Sequence, residues 1–167
     1  MLPPDQMMNS QVQVTLDQPD AGVIMQAEIR DDLGEQELWV TIIVQNKTDI
    51  DQQNWSQTPV WGAAAHLFYP ADRLEFLLMK EAPGRQIAAV NGDLPGRIFW
   101  YHGNLVLDEN REQANLITLR FRVLRPADQS SFRLEVPRRF ASVRGRENQR
   151  LNYNWSAASI QISGGMP

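Results

Sequence analysis

The feature that most constrains the fold of this chain is a strict two-residue alternation over Ile117–Val123, within the segment Leu116–Leu124. Apolar side chains occupy every second position, and threonine or arginine occupies the positions between them. The apolar members are Ile117, Leu119, Phe121 and Val123, and the polar members are Thr118, Arg120 and Arg122. Because successive side chains of a strand point to opposite faces of a sheet, this pattern predicts a strand with one buried and one solvated face.

Similar short apolar segments recur along the chain, and clusters of the turn formers Gly, Pro, Asn and Asp separate them. Helical periodicity is nearly absent. The other predicted strands are Ser10–Leu16, Val23–Ile29, Leu38–Val44, Val60–Phe68, Leu74–Met79, Gln86–Val90, Arg97–Tyr101, Asn104–Leu107, Phe132–Val136, Leu151–Trp155 and Ala158–Ile162. The sequence therefore predicts an all-β fold, an antiparallel two-sheet β-sandwich of jelly-roll type with about nine to twelve strands.

Two regions carry more specific structural predictions. Leu38–Val44 is almost continuously apolar, which predicts a central strand covered on both faces, with Trp39 in the core. Arg97–Tyr101 and Asn104–Leu107 are predicted to pair as a hairpin through a turn at His102 and Gly103. On this interpretation His102 is a solvated turn residue.

Length and composition indicate one domain, because 167 residues with 43% hydrophobic content can enclose one sizeable core. Residues 1–9 are expected to form a disordered lead-in, residues 10–163 the domain, and residues 164–167 a tail. No apolar run reaches the roughly 18 residues that would cross a bilayer. The first residues lack the basic and apolar regions of a signal peptide. The chain has no cysteine, which excludes disulfides and thiolate chemistry.

Charge is distributed unevenly along the chain. There are 6 basic and 16 acidic residues up to Asn110, and 10 basic and 4 acidic residues from Arg111 onward. Such an arrangement steers an oppositely charged partner, or the two parts neutralise each other within the fold. The net charge of −4 and the absence of a known nucleic-acid-binding motif argue against a nucleic-acid partner.

The chain offers little that would support catalysis or a cofactor. Its two histidines, His66 and His102, belong to no hydrolase, metalloprotease or phosphate-binding motif. His66 is expected to be a packed or interface residue, and we predict that the protein is not an enzyme. Loop carboxylates that offer oxygen ligands of the kind calcium binds lie at Asp31-Asp32, Asp49, Asp51 and Asp108-Glu109. None follows an EF-hand pattern, so we interpret them as solvated loops and predict no cofactor.

The candidate binding site is a small-residue strand flanked by aromatic residues. Gly62–Leu67 forms a flat apolar strand, and the chain has five tryptophans, more than a small core requires. Exposed Trp and Tyr on a flat sheet anchor protein interfaces or stack on sugar rings, and they also cap the ends of sandwiches. The predicted partner-binding residues are Trp61, Ala63, Ala65, His66, Trp100 and Tyr101.

Three segments together resemble the cohesin domain family, the receptor modules of bacterial scaffoldins. The first runs from Gly62 through an apolar stretch and Tyr69-Pro70 to Leu74-Glu75-Phe76. The second is Gly96-Arg97-Ile98, and the third is Leu116–Val123. The family's Tyr-Asp-Pro is replaced by Phe68-Tyr69-Pro70. Apart from His66, the segment Trp61–His66 offers no polar contact of the kind that cellulosomal cohesins present to dockerin.

The resemblance implies a nine-stranded jelly-roll sandwich that binds a dockerin module through one sheet face, with calcium carried by the dockerin. We therefore expect a non-catalytic module that docks a partner protein, dockerin-like in type, in an extracellular or cell-surface assembly. Two other hypotheses stay open. One is a carbohydrate-binding module that uses exposed aromatics to bind polysaccharide, and the other is a structural subunit of a surface filament or secretion apparatus.

Overall fold

A computed structural model of the protein describes residues 10–32, 35–45, 60–80, 87–107, 113–124, 131–145 and 150–164. These residues form strands connected by turns, with one short 3-10 helix at Arg138–Phe140. The strands are β1 (Ser10–Leu16), β2 (Val23–Asp32), β3 (Glu35–Gln45), β4 (Val60–Phe68), β5 (Leu74–Lys80), β6 (Ile87–Leu94), β7 (Arg97–Leu107), β8 (Gln113–Val123), β9 (Phe132–Leu134), β10 (Ala141–Arg144), β11 (Arg150–Leu151) and β12 (Ala158–Gly164). The all-β prediction is therefore confirmed.

The strands form three antiparallel sheets arranged as a sandwich. One layer is the four-stranded sheet, in the order β2-β3-β8-β5. The other consists of a five-stranded sheet, β11-β10-β4-β7-β6, and a three-stranded sheet, β1-β12-β9. A bridge between Phe68 of β4 and Glu135 just after β9 joins these two sheets. The inward faces of all three sheets contribute to one hydrophobic core.

Alternation decides which side chains reach this core. In β8, Ile117, Leu119 and Phe121 are fully buried, whereas Thr118 and Arg120 remain partly exposed, as the period-2 pattern predicted. The core ring of Phe121 packs edge-on against Tyr69, with ring centroids 5.1 Å apart. Tyr69 follows β4 directly, so this contact ties the two layers together across the sandwich.

Two predictions about individual strands are wrong. The predicted hairpin from Arg97 to Leu107 is one continuous strand, β7, and His102 lies inside it with no exposed surface. Alternation explains the burial, because His102 has the same parity as the inward-facing Ile98 and Trp100. In addition, β10 lies between Val136 and Leu151, where no strand was predicted.

The prediction that Trp39 belongs to the core is also wrong. β3 is a central strand, but only one of its faces is fully covered, and Trp39 is partly exposed on the other. Its ring lies between two guanidinium groups, with the Cζ of Arg30 at 3.7 Å and that of Arg120 at 5.1 Å from the ring centroid. The two cations cover the indole without placing it in the core.

The outer face of the four-stranded sheet is occupied by paired charges. Arg120 of β8 binds Glu37 of β3 through both carboxylate oxygens, at 2.8 and 2.9 Å. Arg122 contacts Glu75 of β5 at 2.6 Å and Glu35 of β3 at 3.6 Å. These ion pairs cross from strand to strand, so acids and arginines on this face satisfy one another.

The division of the chain into a lead-in, one domain and a tail stays a prediction. β1 begins at Ser10, the first residue of the predicted domain, and β12 ends at Gly164, one residue beyond its predicted end. Residues 1–9 and 165–167 lie outside the described residues. No helix among the described residues has the length and apolar character needed to cross a bilayer.

Candidate functional site

The outer face of the five-stranded sheet carries exposed aromatic side chains. Trp61 of β4 and Phe99 and Tyr101 of β7 keep 39%, 40% and 42% of their surface accessible. We call this surface the aromatic face; its members are Trp61, Ala64, His66, Phe68, Arg97, Phe99, Tyr101, Arg139, Phe140, Ser142 and Arg144. Unlike the outer face of the four-stranded sheet, it is built around rings.

The register between β4 and β7 sets the composition of this face. Ala64 lies opposite Tyr101, and His66 lies opposite Phe99. Because paired residues in an antiparallel sheet point to the same side, the small Ala64 leaves room beside the tyrosine ring. β10 continues the same row on the other side of β4, where Ser142 pairs with Ala64. The result is a low central strip with aromatic rings along its edges.

His66 is held at the centre of an aromatic cluster. Its ring lies 5.0 Å from that of Phe99 and 5.1 Å from that of Phe140, centroid to centroid. The Nε of Arg97 donates a hydrogen bond to its Nδ1 at 2.9 Å. An Nδ1 that accepts a hydrogen bond carries no proton, so the imidazole is neutral with its proton on Nε2. Burial, and after it the positive charge of Arg97, lower the pKa of His66 below its ordinary 6.5.

Arg97 is fixed by stacking as well as by this hydrogen bond. Its guanidinium carbon lies 5.4 Å from the ring centroids of both Phe68 and Phe140. Arg139 of the 3-10 helix lies 4.8 Å from the Phe140 ring centroid. Cation–π contacts of this kind orient a guanidinium while leaving its edges available for planar hydrogen bonding.

A shallow pocket of about 320 Å³ opens at the other end of the aromatic face. It lies among Trp61, Ala64, Tyr101, Ser142 and Arg144, so its lining combines two rings with a hydroxyl and a cation. The floor is β4 main chain with small side chains. Such a pocket accepts an apolar side chain and offers polar contacts at its edge.

The structure divides the six predicted site residues into two groups. Trp61, His66 and Tyr101 lie on the aromatic face. Ala65 and Trp100 point into the core with no exposed surface, and Ala63, with 2% exposure, is buried too, although it borders the pocket beside Trp61. The physical reason is parity: Ala65 and Trp100 are paired and share the inward side, where the indole fills the space that the alanine leaves.

Sequence reasoning missed several residues of this face. Phe99 had a usable signal, because it shares the parity of Tyr101 and must point outward with it. Phe68 had a similar signal from His66. Phe140 had none, since its place beside His66 depends on the antiparallel pairing of β10 with β4, distant in sequence.

His102 forms no part of the aromatic face. It lies wholly inside the sandwich, where its Nδ1 and the carbonyl oxygen of Leu116 in β8 form a hydrogen bond. Burial lowers its pKa, and the hydrogen bond to Leu116 opposes this effect without outweighing it. A neutral, enclosed imidazole of this kind has a structural role.

The described residues contain no group of three or more metal-ligating side chains. Asp31 and Asp32, which were expected in a loop, are instead the last two residues of β2, and the carboxylate of Asp31 accepts a hydrogen bond from Gln36 at 3.4 Å. The other loop carboxylates considered for calcium, Asp49, Asp51, Asp108 and Glu109, lie outside the described residues.

No protein-family profile matches the chain, and no curated protein matches it significantly in sequence. Solved structures match its fold. One is a cohesin module of a family 33 glycoside hydrolase from Clostridium perfringens, with 11% identity, a TM-score of 0.54, and coverage of 86% of this chain and 96% of that one. Another is the seventh ScaB type I cohesin from Pseudobacteroides cellulosolvens, with 17% identity, a TM-score of 0.56, and coverage of 86% and 94%.

A third is the sixth cohesin of scaffoldin B from Acetivibrio cellulolyticus, solved in complex with a mutant Cel5 dockerin. It has 10% identity and a TM-score of 0.58, and the match covers 83% of this chain and 96% of that one. At these identities the comparison concerns architecture alone. The chain therefore has a cohesin-like β-sandwich fold, as the sequence resemblance predicted.

Proposed function

We propose that this protein is a non-catalytic protein-interaction module that docks a partner protein on the aromatic face, in an extracellular or cell-surface assembly. The observation that carries the proposal is the exposure of Trp61, Phe99 and Tyr101 on neighbouring strands of one sheet. Large aromatic side chains dominate protein-interface energetics because they bury much apolar area with little loss of conformational freedom. The cohesin-like fold supports the same proposal, since solved cohesins include complexes with dockerins.

The dimensions of the aromatic face suit a specific contact. The face crosses three neighbouring strands, β10, β4 and β7, which at about 4.8 Å per strand span roughly 14 Å, and eight residues of a strand extend roughly 26 Å. This gives about 370 Å² in projection, which suits one of the smaller specific interfaces, those that bury less than about 1,200 Å² in total. The outer face of the other layer is less suitable, because its acids and arginines already pair with one another.

A cross-linking pull-down from the native secretome tests the proposal. The wild-type protein is compared with the double variant Phe99→Ala/Tyr101→Ala. Leu124→Ala is the matched control, because Leu124 has 41% exposure and lies in the turn after β8, away from the aromatic face. We expect the wild type and the control to retain the same identified protein and the double variant to lose it.

The purified partner must then bind the wild type at least about thirtyfold more tightly than the double variant, as two hot-spot aromatics require. Retention of the same protein by all three forms, or of no protein by the wild type, would refute the proposal. Binding of polysaccharide alone, with quenching of tryptophan fluorescence, would favour the carbohydrate hypothesis instead.

A further inference from the structure

The described side chains of the five-stranded sheet and of its 3-10 helix carry charge of one sign. Among the residues of these elements whose side chains the structure describes, the charged ones are all arginines, and none is Asp or Glu. They are Arg97, Arg138, Arg139, Arg144 and Arg150. The whole chain has a net charge of −4, so this surface is locally opposite in sign to the molecule that bears it. A patch of this kind attracts an anionic surface.

Two arginines of the aromatic face, Arg97 and Arg139, stack on its rings, and no described carboxylate forms an ion pair with either of them. Arg97 lies over Phe68 and Phe140, and Arg139 lies over Phe140. The described carboxylate that borders this face, Glu135, is held by Arg133, with Nε and Oε1 3.1 Å apart. Arg97 donates the hydrogen bond of its Nε–H to His66, and its other N–H groups form a planar fork of the kind that binds carboxylates bidentately.

The opposite layer serves as an internal reference. There, Arg120 and Arg122 are matched by glutamates on neighbouring strands, as solvated surfaces commonly are. The aromatic face combines one sign of charge with exposed rings. Complementary interfaces place an opposite charge against such cations and seat apolar side chains on the rings.

Building on the proposed docking function, we propose that the partner presents an acidic protein surface, with Asp or Glu carboxylates binding Arg97 and Arg139 and neighbouring apolar side chains seated against Phe99 and Tyr101. A second copy of this chain docking face to face is disfavoured, because it would set these arginines against one another. The surface therefore selects a partner by charge as well as by shape.

A nuclear magnetic resonance titration with three synthetic peptides tests this inference. The peptides share their length and their leucine positions and differ only in carrying glutamate, glutamine or lysine at the remaining positions. We expect the glutamate peptide to shift the Arg97 Nε–H and Trp61 indole resonances and to bind about tenfold more tightly than the glutamine peptide at low salt. Raising the salt concentration should shrink this preference.

Two variants locate the effect. Arg139→Gln, on an exposed side chain, and Arg97→Gln should each remove most of the preference for glutamate. Arg30→Gln is the control, because Arg30 lies on the other layer and pairs with Glu28 at 2.6 Å. It should leave the preference unchanged.

The inference is overturned if the glutamine or lysine peptide binds as tightly as the glutamate peptide, or if the glutamate peptide shifts no resonance of this face. It is also overturned if polygalacturonate, an anionic polysaccharide, binds there while the glutamate peptide does not. Failure of the docking proposal has another signature. In that case no secretome protein depends on Phe99 and Tyr101, whatever the peptide charge.

Discussion

Gly103→Ala should separate the shape of the aromatic face from the stability of the fold. Gly103 lies in β7 under the ring of Tyr101, which precedes it by two residues on the same strand. A Cβ at this position would lie 2.9 Å from Cζ and 3.1 Å from Cε1 of that ring, and closer still to the hydroxyl. Ordinary contact begins at 3.4 Å, so Cζ must move by about 0.5 Å and the hydroxyl further. Because Tyr101 is 42% exposed, the ring can swing into solvent without moving the backbone.

The magnitudes follow from this geometry. Gly103 has no positive φ, so alanine fits its backbone and gains about 0.4–1 kcal/mol by restricting the unfolded chain. The displaced ring loses part of its packing, which offsets that gain, and the free energy of unfolding should change by less than about 1 kcal/mol. Binding should fall by about 2 kcal/mol or more, roughly thirtyfold, because an aromatic anchor leaves its position.

Three measurements test this prediction. Urea denaturation gives the free energy of unfolding, a binding assay gives the affinity for the partner, and nuclear magnetic resonance shows which contacts the Tyr101 ring makes. Gly62→Ala is the contrast, since its Cβ would meet the main-chain oxygen of His102 at 3.2 Å. A main-chain atom cannot rotate away from the new methyl group as the Tyr101 ring can, so Gly62→Ala should have a lower free energy of unfolding than the wild type. The reasoning is wrong if Gly103→Ala unfolds several kcal/mol more easily, or if the tyrosine ring still lies over residue 103.

Three further predictions concern the fold. Trp100→Ala should lower the free energy of unfolding, measured by urea denaturation, by about 3–5 kcal/mol, because the indole is fully buried. A loss below about 1 kcal/mol would contradict the place of Trp100 in the core. Burial lowers the pKa of His102 in the folded state, so on acidification the unfolded chain takes up a proton before the folded chain does. The free energy of unfolding should therefore decrease as pH falls below 6.5. Equal stability at about pH 7.5 and about pH 5 would refute this prediction. Burial raises the pKa of Glu37, but hydrogen bonds led by that from Arg120 outweigh it and leave the pKa below 4.5. Glu37→Gln should therefore lower the free energy of unfolding, measured by urea denaturation, by about 1 kcal/mol at pH 7. This difference in stability from the wild type should shrink as pH falls below 4.5. A difference that stays constant with pH would count against the ion pair.

The sequence was sufficient for strands whose side chains alternate cleanly. β1 and β4 have the predicted bounds, and β8 buries the predicted residues, because alternation records directly which side of the strand faces the core. The predicted hairpin in β7 failed at His102. A polar residue followed by glycine is typical of a turn, but here the core supplies a hydrogen-bond acceptor, the Leu116 carbonyl, that makes burial tolerable.

The candidate site shows where local pattern stops being informative. Trp100 and Tyr101 are adjacent in β7, so alternation forbids both from facing outward, and the prediction that named both could be only half right. Which of them is buried depends on the partner strand, where the inward Ala65 provides the space for Trp100. Trp39 shows the same problem in reverse, since guanidinium groups from other positions cover it at the surface. These outcomes depend on pairing between distant segments.

The stacking that immobilises Arg97 has a kinetic consequence. A free arginine loses about 2 kcal/mol of rotamer freedom when it is fixed, and here folding has already removed that freedom. Encounter can then proceed at a rate set by long-range attraction, and ionic strength should chiefly alter how fast complexes form. The half-life of the bound state should depend instead on the rings of Phe99 and Tyr101, so association and dissociation are governed by different side chains of a single surface.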